Sequence, residues 1–364
     1  MTRQPAPRPG IMGIAPYVPG ESKADGQARI IKLASNESAL GASPRAMEAF
    51  RRCAEELHRY PDGAASGLRQ ALAEFHGLDA RRIVVGNGSD EVISILTHAY
   101  AGPGDEVLYS QHGFLMYPIG AKAVGATPVA APERDYTASV DALLAAVSPR
   151  TRIVFVANPN NPTGTFLTPE ELSRLRQGLP SDVLLVIDAA YAEYCVRNDY
   201  TAGRELVDAG DNTVMTRTFS KIYGLAALRL GWAYCPPPIA DVFQRVRGPF
   251  NVNAPAQAAG IAALNDVAFT GRARAHNDIW LPWLSRELTR LGLAVIPSVG
   301  NFLTVRFKDA AAAGAAQAAL KAKGILPRAI AAYGLANCLR FTIGTEEENR
   351  AVQIALAEHL GRAA

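Results

Sequence analysis

Four short stretches of this 364-residue chain combine residue types that could hold a charged small molecule and move a proton on it. The first is Gly86-Asn87-Gly88-Ser89-Asp90. Glycines allow a sharp turn, and a helix starting there exposes unpaired N–H groups at the positive end of its dipole, a ready seat for a phosphate. The same residues also read as a plain strand-to-helix turn with Ser89 as N-cap. The second is Asn158-Pro159-Asn160-Asn161-Pro162-Thr163-Gly164. A rigid turn accounts for it, since Pro and Asn both favour turns, yet a side-chain amide held there can donate to a ligand oxygen without adding charge. The third is Asp188, with Tyr191 three residues later. An acid leaving the apolar run Val183–Ile187 is desolvated unless it meets a cation, or else it serves as a cap. The fourth is Thr218-Phe219-Ser220-Lys221, followed by Gly224 and Arg229. Its lysine is a nucleophilic amine inside a site and an ordinary loop lysine outside one.

The elements around these stretches decide between the readings. From about residue 44, short β-branched runs alternate with helical patterns. Strands are expected at Ile83–Val85, Glu106–Tyr109, Thr127–Ala131, Arg152–Ala157, Val183–Ile187 and Thr213–Thr216. Helices are expected from Pro44, with Ser43 as cap, over Glu91–Tyr100, and over Pro169–Gln177 behind the cap Thr168. Continuous apolar strands separated by helices predict an α/β fold whose mainly parallel sheet is covered on both faces, with ligands at the carboxyl ends of the strands. All four stretches fall at such ends. An amine, a carboxylate, a phosphate seat and neutral donors in one crevice suggest a pyridoxal phosphate site, because that cofactor needs a lysine for its Schiff base and an acid beside its pyridine nitrogen.

After about residue 250 the pattern changes. An Ala-rich helical region over Ala254–Ala275, a helix near Leu281–Leu291, a strand at Phe302–Phe307, a helix over Ala310–Lys323 and a strand at Cys338–Ile343 predict a smaller α+β domain. The expected division is an N-terminal arm over 1–38 belonging to the small domain, a large cofactor-binding domain over 39–250, and the small domain over 251–364.

Composition bounds the function. At 49% hydrophobic residues, a chain of this size buries a large core without disulfide or metal staples. Lys and Arg total 37 against 34 Asp and Glu, which argues against a nucleic-acid binder. Cys53, Cys195, Cys235 and Cys338 form no C-x-x-C pair, so no structural metal is expected. No secretory leader is expected from the Pro- and Arg-rich start, and no run of about 18 apolar residues occurs, so a soluble cytoplasmic protein away from the membrane is expected.

With these residues assembled, the chain resembles the fold-type I aminotransferases, and within them the histidinol-phosphate aminotransferase family. The likeness runs from Tyr17-Val18-Pro19-Gly20 through Leu33-Ala34-Ser35-Asn36-Glu37, Arg59-Tyr60-Pro61-Asp62-Gly63, the glycine loop, the Asn-Pro-Thr-Gly turn and Arg217-Thr218-Phe219-Ser220-Lys221 to Arg340-Phe341-Thr342-Ile343-Gly344-Thr345. It implies a large domain with a mainly parallel central sheet and a smaller α+β domain. It also implies that Lys221 is the Schiff-base lysine and that Asp188 holds the pyridine nitrogen protonated. Tyr191 and Asn161 would bond the ring's phenolic oxygen, and Phe114 would stack on the ring. Ser89, Asp90, Thr218, Ser220 and Arg229 would hold the phosphate, with Tyr60 reaching it from a partner subunit. A homodimer with shared active sites follows. Arg340 matches the arginine for the substrate carboxylate, while Arg328 and Tyr17 match the groups used for a substrate phosphate.

The implied reaction is ping-pong transamination of L-histidinol phosphate with 2-oxoglutarate, giving imidazole acetol phosphate and glutamate in histidine biosynthesis. An aromatic (phenylalanine or tyrosine) aminotransferase is the alternative; a decarboxylase or a cofactor-binding regulator fits less well. Three positions depart from the pattern: Ala189 where Glu is usual, Gln111-His112-Gly113 where a Pro-Thr pair is common, and Ala227 in place of a glycine. None removes a group assigned to the cofactor. His112 reads either as a ligand contact or as a solvated side chain.

Overall fold

A computed structural model describes residues 5–23 and 29–363; residues 1–4 and 24–28 of the expected arm, and residue 364, lie outside the described residues. Seven strands form the large sheet, in the spatial order Ile83–Gly86, Gly231–Tyr234, Thr213–Thr218, Leu184–Asp188, Thr151–Ala157, Glu106–Ser110 and Thr127–Ala131. Gly231–Tyr234 runs antiparallel to both neighbours and every other pairing is parallel. The chain is thus α/β with a mainly parallel sheet. Its central strands are buried on both faces apart from a half-buried Arg152, which is why they read as largely apolar runs rather than alternating ones. One face packs into a cluster containing Leu68, Leu72, Phe219 and Trp232, the other into a cluster containing Val92, Ile93, Tyr117, Phe155 and Phe243.

Register sets the site. Ala157 pairs with Asp188 and Asp188 with Thr216, while Gly231 pairs with both Gly86 and Thr218. These rows bring all four stretches to one edge of the sheet. Gly231 must be glycine, because a Cβ there would lie 2.2 Å from the backbone N of Ser89, at the start of the Ser89–Tyr100 helix.

A second sheet, entirely antiparallel, has the order Ala294–Ile296, Phe302–Arg306, Leu335–Thr342, Arg328–Ile330. The Ile31–Lys32 segment pairs in parallel with Ile325–Leu326, so main-chain bonds tie this part of the expected arm to the chain just ahead of the Arg328–Ile330 strand.

The helices after residue 250 differ from expectation. The Ala-rich region is two helices, Ala254–Leu264 and Val267–Arg290, and the second absorbs the separate helix expected near Leu281–Leu291. The break comes at Asp266, whose carboxylate accepts the Phe269 N–H at 3.3 Å and starts a new helix. Pro282 removes one helical donor without ending the helix. Ala256, Ala259, Ala263 and, in the second helix, Ala273 pack into the large-sheet core, whereas Trp280, Leu284 and Leu288 pack into the core of the second sheet. The core therefore changes hands inside the Val267–Arg290 helix.

Candidate active site

A cleft of ≈ 270 Å³ opens where the carboxyl ends of the large sheet face the second sheet. Of the residues assigned from the sequence, Tyr17, Ser89, Asp90, Phe114, Asn161 and Asp188 line it. So do Tyr191, Thr218, Ser220, Lys221, Arg229, Arg328 and Arg340. Tyr60 does not; it stands 82% exposed on the outer surface.

One end of the cleft is an anion seat. The cap of the Ser89–Tyr100 helix is Gly88, with no side-chain bond to the first turn, so the first N–H groups are left for another acceptor. Ser89 is thus the first helical residue and not the cap. Gly88 takes φ 85° and ψ 163°, and a Cβ on it would meet the Arg229 guanidinium at 2.5 Å. That guanidinium lies 3.1 Å from Asp90 Oδ2 and 3.5 Å from Ser220 Oγ. The strand runs on to Thr218, beyond the expected Thr216, and the Ser220 N–H donates to Thr218 Oγ1 at 3.1 Å. Hydroxyls, a guanidinium and free helix N–H groups converge on a space kept open by a missing side chain.

In the middle of the cleft, Asp188 ends its strand inside the sheet and is only 5% exposed. Tyr117 Oη donates to its Oδ2 at 2.8 Å and Thr216 Oγ1 to its Oδ1 at 3.1 Å. Burial drives its pKa up to about 6 even though these bonds pull the other way. Among the described residues no cation pairs with it. Lys221 Nζ donates to the Ser35 carbonyl at 3.1 Å and lies 5.6 Å from the centroid of the Tyr191 ring. Tyr191 Oη accepts from Asn36 Nδ2 at 2.8 Å.

The donor set therefore fits pyridoxal phosphate. There is a seat for its phosphate, a buried acid that meets no cation among the described residues for its ring nitrogen, and an amine in the same cleft.

The far end carries two arginines. Arg328 and Arg340 are directly opposite each other on adjacent antiparallel strands. Arg340 is 5% exposed, and its guanidinium bonds Asn161 Oδ1 and, at 2.8 Å, the Ala34 carbonyl, while its Nε has no partner. Arg328 donates to the Val18 carbonyl at 2.7 Å and sits 5.9 Å from the Tyr17 ring centroid. Among the described residues no carboxylate pairs with either arginine. Like charges placed opposite each other repel, and burial also weakens the hold of Arg340 on its proton.

Some residues of the site escaped sequence reasoning. Asn36 stood inside a quoted motif with no role, and its positive φ of 54° was the only local oddity it could have signalled. Tyr117 and Tyr333 gave no signal, because their partners lie far away in sequence. His112 is neither solvated nor part of the cleft lining. It is 8% exposed, and its Nδ1 lies 2.6 Å from the Tyr333 carbonyl.

Comparison with known proteins agrees with this geometry. Residues 28–356 match the aminotransferase class I and II family profile. The histidinol-phosphate aminotransferase of Paramagnetospirillum magneticum is 65% identical over 359 residues, covering 98% of this chain and 99% of that one. The histidinol-phosphate aminotransferase of Rhodospirillum centenum is 58% identical over 357 residues, covering 98% and 99%. The crystal structure of histidinol-phosphate aminotransferase from Sinorhizobium meliloti in complex with pyridoxal-5'-phosphate superposes with a TM-score of 0.85 at 30% identity, covering 92% of each chain. This chain belongs to the aminotransferase class I and II family and groups with its histidinol-phosphate aminotransferases.

Proposed function

We propose that this protein is a pyridoxal-phosphate-dependent aminotransferase that takes the amino group from L-histidinol phosphate and passes it to 2-oxoglutarate in histidine biosynthesis. The observation that carries the reading is the cross-strand pair Arg328 and Arg340, which faces the cleft without a carboxylate partner among the described residues. A phosphate dianion complements two guanidiniums, and the two carboxylates of glutamate or 2-oxoglutarate suit them as well. Phenylalanine, with one carboxylate and an apolar ring, leaves one arginine uncompensated, so the aromatic alternative comes second.

The residues divide the work. When bound, pyridoxal phosphate supplies the carbonyl that links to the substrate amine and the cationic ring that draws electrons from the Cα–H bond. Ser89, Asp90, Thr218, Ser220 and Arg229 would hold its phosphate, Asp188 its ring nitrogen, Asn161 and Tyr191 its phenolic oxygen, and Phe114 its ring face. Tyr117 and Thr216 keep Asp188 an acceptor by donating to both of its oxygens. Lys221 takes the Cα proton at Nζ and holds it for return, and the Ser35 carbonyl accepts from that nitrogen when the amine is free. Arg340, Arg328 and Tyr17 clamp the substrate's anionic end, which orients the Cα–H bond toward Lys221.

A homodimer completes the site in this reading. Tyr60 is stacked on Phe250 at 4.5 Å between ring centroids and, with Leu57 72% exposed, forms an outward-facing apolar patch suited to a second copy. The small domain would comprise the arm with the region after 250, and the large domain 39–250. No helix among the described residues is long and apolar enough to cross a membrane, and the reading places the enzyme in the cytoplasm.

The test offers L-histidinol phosphate and phenylalanine separately, with 2-oxoglutarate, and measures glutamate formed. A kcat/KM for histidinol phosphate at least tenfold higher supports the reading. Equal or better turnover of phenylalanine moves the protein to aromatic transamination.

A further inference from the structure

We propose that the Tyr333 hydroxyl is a specificity-determining donor to the phosphate of the substrate, and that His112, reaching across from the large domain, is the residue that positions it. The inference rests on the histidinol-phosphate reading and deepens it. Tyr333 ends the short turn Ala331–Tyr333, which joins the strand carrying Arg328 to the strand carrying Arg340. It lines the same cleft as both arginines and is 6% exposed. A phenol held at that point is a neutral donor beside two cations, a set that matches a tetrahedral dianion better than a planar carboxylate. Burial drives its pKa up to about 12, although Arg340 and Arg328 pull it down, so the hydroxyl keeps its proton throughout the working range.

The placement of that ring depends on both domains. Tyr333 packs with Ile330, Leu335 and Cys338 in a small satellite cluster, and Leu115 and Tyr136 of the large domain press against it. The decisive contact is polar. A carbonyl can only accept, so His112 Nδ1, 2.6 Å from the Tyr333 oxygen, carries the hydrogen. His112 is itself fixed to the large domain by its main chain. Its N–H donates to Glu133 Oε1 at 3.0 Å, and its carbonyl accepts from Asn160 Nδ2 at 3.4 Å. The imidazole therefore ties the loop that follows the Glu106–Ser110 strand to the turn that presents the phenol.

The experiment compares L-histidinol phosphate with L-histidinol, which lacks the phosphate, on the holoenzyme. Tyr333→Phe keeps the ring and removes the hydroxyl. The ratio of kcat/KM for the two amines should fall by about tenfold or more, carried by the KM of the phosphorylated substrate. Binding of inorganic phosphate to the holoenzyme, followed by calorimetry, should weaken by a similar factor. His112→Leu should lower the ratio likewise. His112→Asn places an N–H where Nδ1 stood and should restore most of it, which a merely space-filling role does not predict. If wild type strongly prefers histidinol phosphate and Tyr333→Phe leaves the ratio within twofold, the inference fails while the assigned reaction stands. If His112→Asn is as impaired as His112→Leu, the positioning role fails. A wild type indifferent to the phosphate overturns both the inference and the reading beneath it.

Discussion

Asp188→Asn in the cofactor-free protein isolates what it takes to keep a carboxylate inside the sheet. Burial lifts the Asp188 pKa from 3.8 to about 6. At roughly 1.4 kcal/mol per unit, the ionised acid destabilises the empty fold by about 3 kcal/mol. The sign follows from proton binding, since the folded protein holds this proton more tightly than the unfolded chain. Below about pH 4 both states are protonated and no penalty exists. Between about pH 4 and 6 stability falls as pH rises, and above about pH 6 the loss is constant. An amide does not titrate, and it can keep the contacts: Oδ1 can accept from Tyr117, while Nδ2 donates to the Thr216 hydroxyl. Urea unfolding at fixed protomer concentration should therefore show Asp188→Asn more stable than wild type by about 3 kcal/mol near pH 8, and by about half that near pH 5. The same substitution should weaken cofactor retention and abolish most turnover, because it removes the carboxylate assigned to the ring nitrogen. A variant no more stable than wild type near pH 8, or equally stabilised at both pH values, refutes the reasoning.

Other outcomes follow from the same geometry. Gly88→Ala forces a side chain into backbone angles that essentially only glycine occupies and against Arg229, so chemical denaturation should show a loss of about 1–3 kcal/mol and cofactor titration a weaker affinity; unchanged values in both would contradict the open-seat argument. Arg340→Met should raise the KM for histidinol phosphate and for 2-oxoglutarate by about tenfold or more, since a charge-assisted contact is lost with both substrates; a KM within twofold for either would place the anion elsewhere. Lys221→Ala should cut turnover by about 10²–10⁴-fold. Mixed with Tyr60→Ala chains, it should yield hybrid dimers that recover about half of wild-type activity, because one of the two sites then has both residues intact; no recovery would rule out sharing of Tyr60.

Legibility of the site followed the range of its contacts. Asp188 could be read because it closes an apolar run and Lys221 because it follows just beyond a strand, and the parallel-sheet rule sends strand ends to one edge. Thr218, Ser220 and Arg229 could be read because they sit within a few residues of that lysine. Asn36 bonds Tyr191 across 155 positions and Tyr117 bonds Asp188 across 71, and no local pattern encodes such pairs. His112 meets Tyr333 across 221 positions and the boundary between the sheets, so its sequence neighbourhood favours solvation over contact. The helices after residue 250 were misdrawn for a different reason. Alanine favours a helix wherever it stands, so the composition hid the break that Asp266 enforces.

The stretch Ala34-Ser35-Asn36 has a consequence for how the gene can vary. Within three residues, the Ala34 carbonyl meets Arg340, the Ser35 carbonyl meets Lys221, and the Asn36 amide meets Tyr191. Two of those contacts come from the main chain and are indifferent to the side chain's identity, so replacements at 34 and 35 that fit the space are functionally quiet. A one-residue deletion there is different. It moves the anchors of the anion clamp, the reacting amine and the tyrosine out of step at once, while the Ile31–Lys32 pairing with Ile325–Leu326 holds the chain in place just upstream. Substitution and indel tolerance should therefore diverge sharply at this point, and a survey that counts only point variants would class positions 34 and 35 as dispensable although two parts of the site are hung on their main chain.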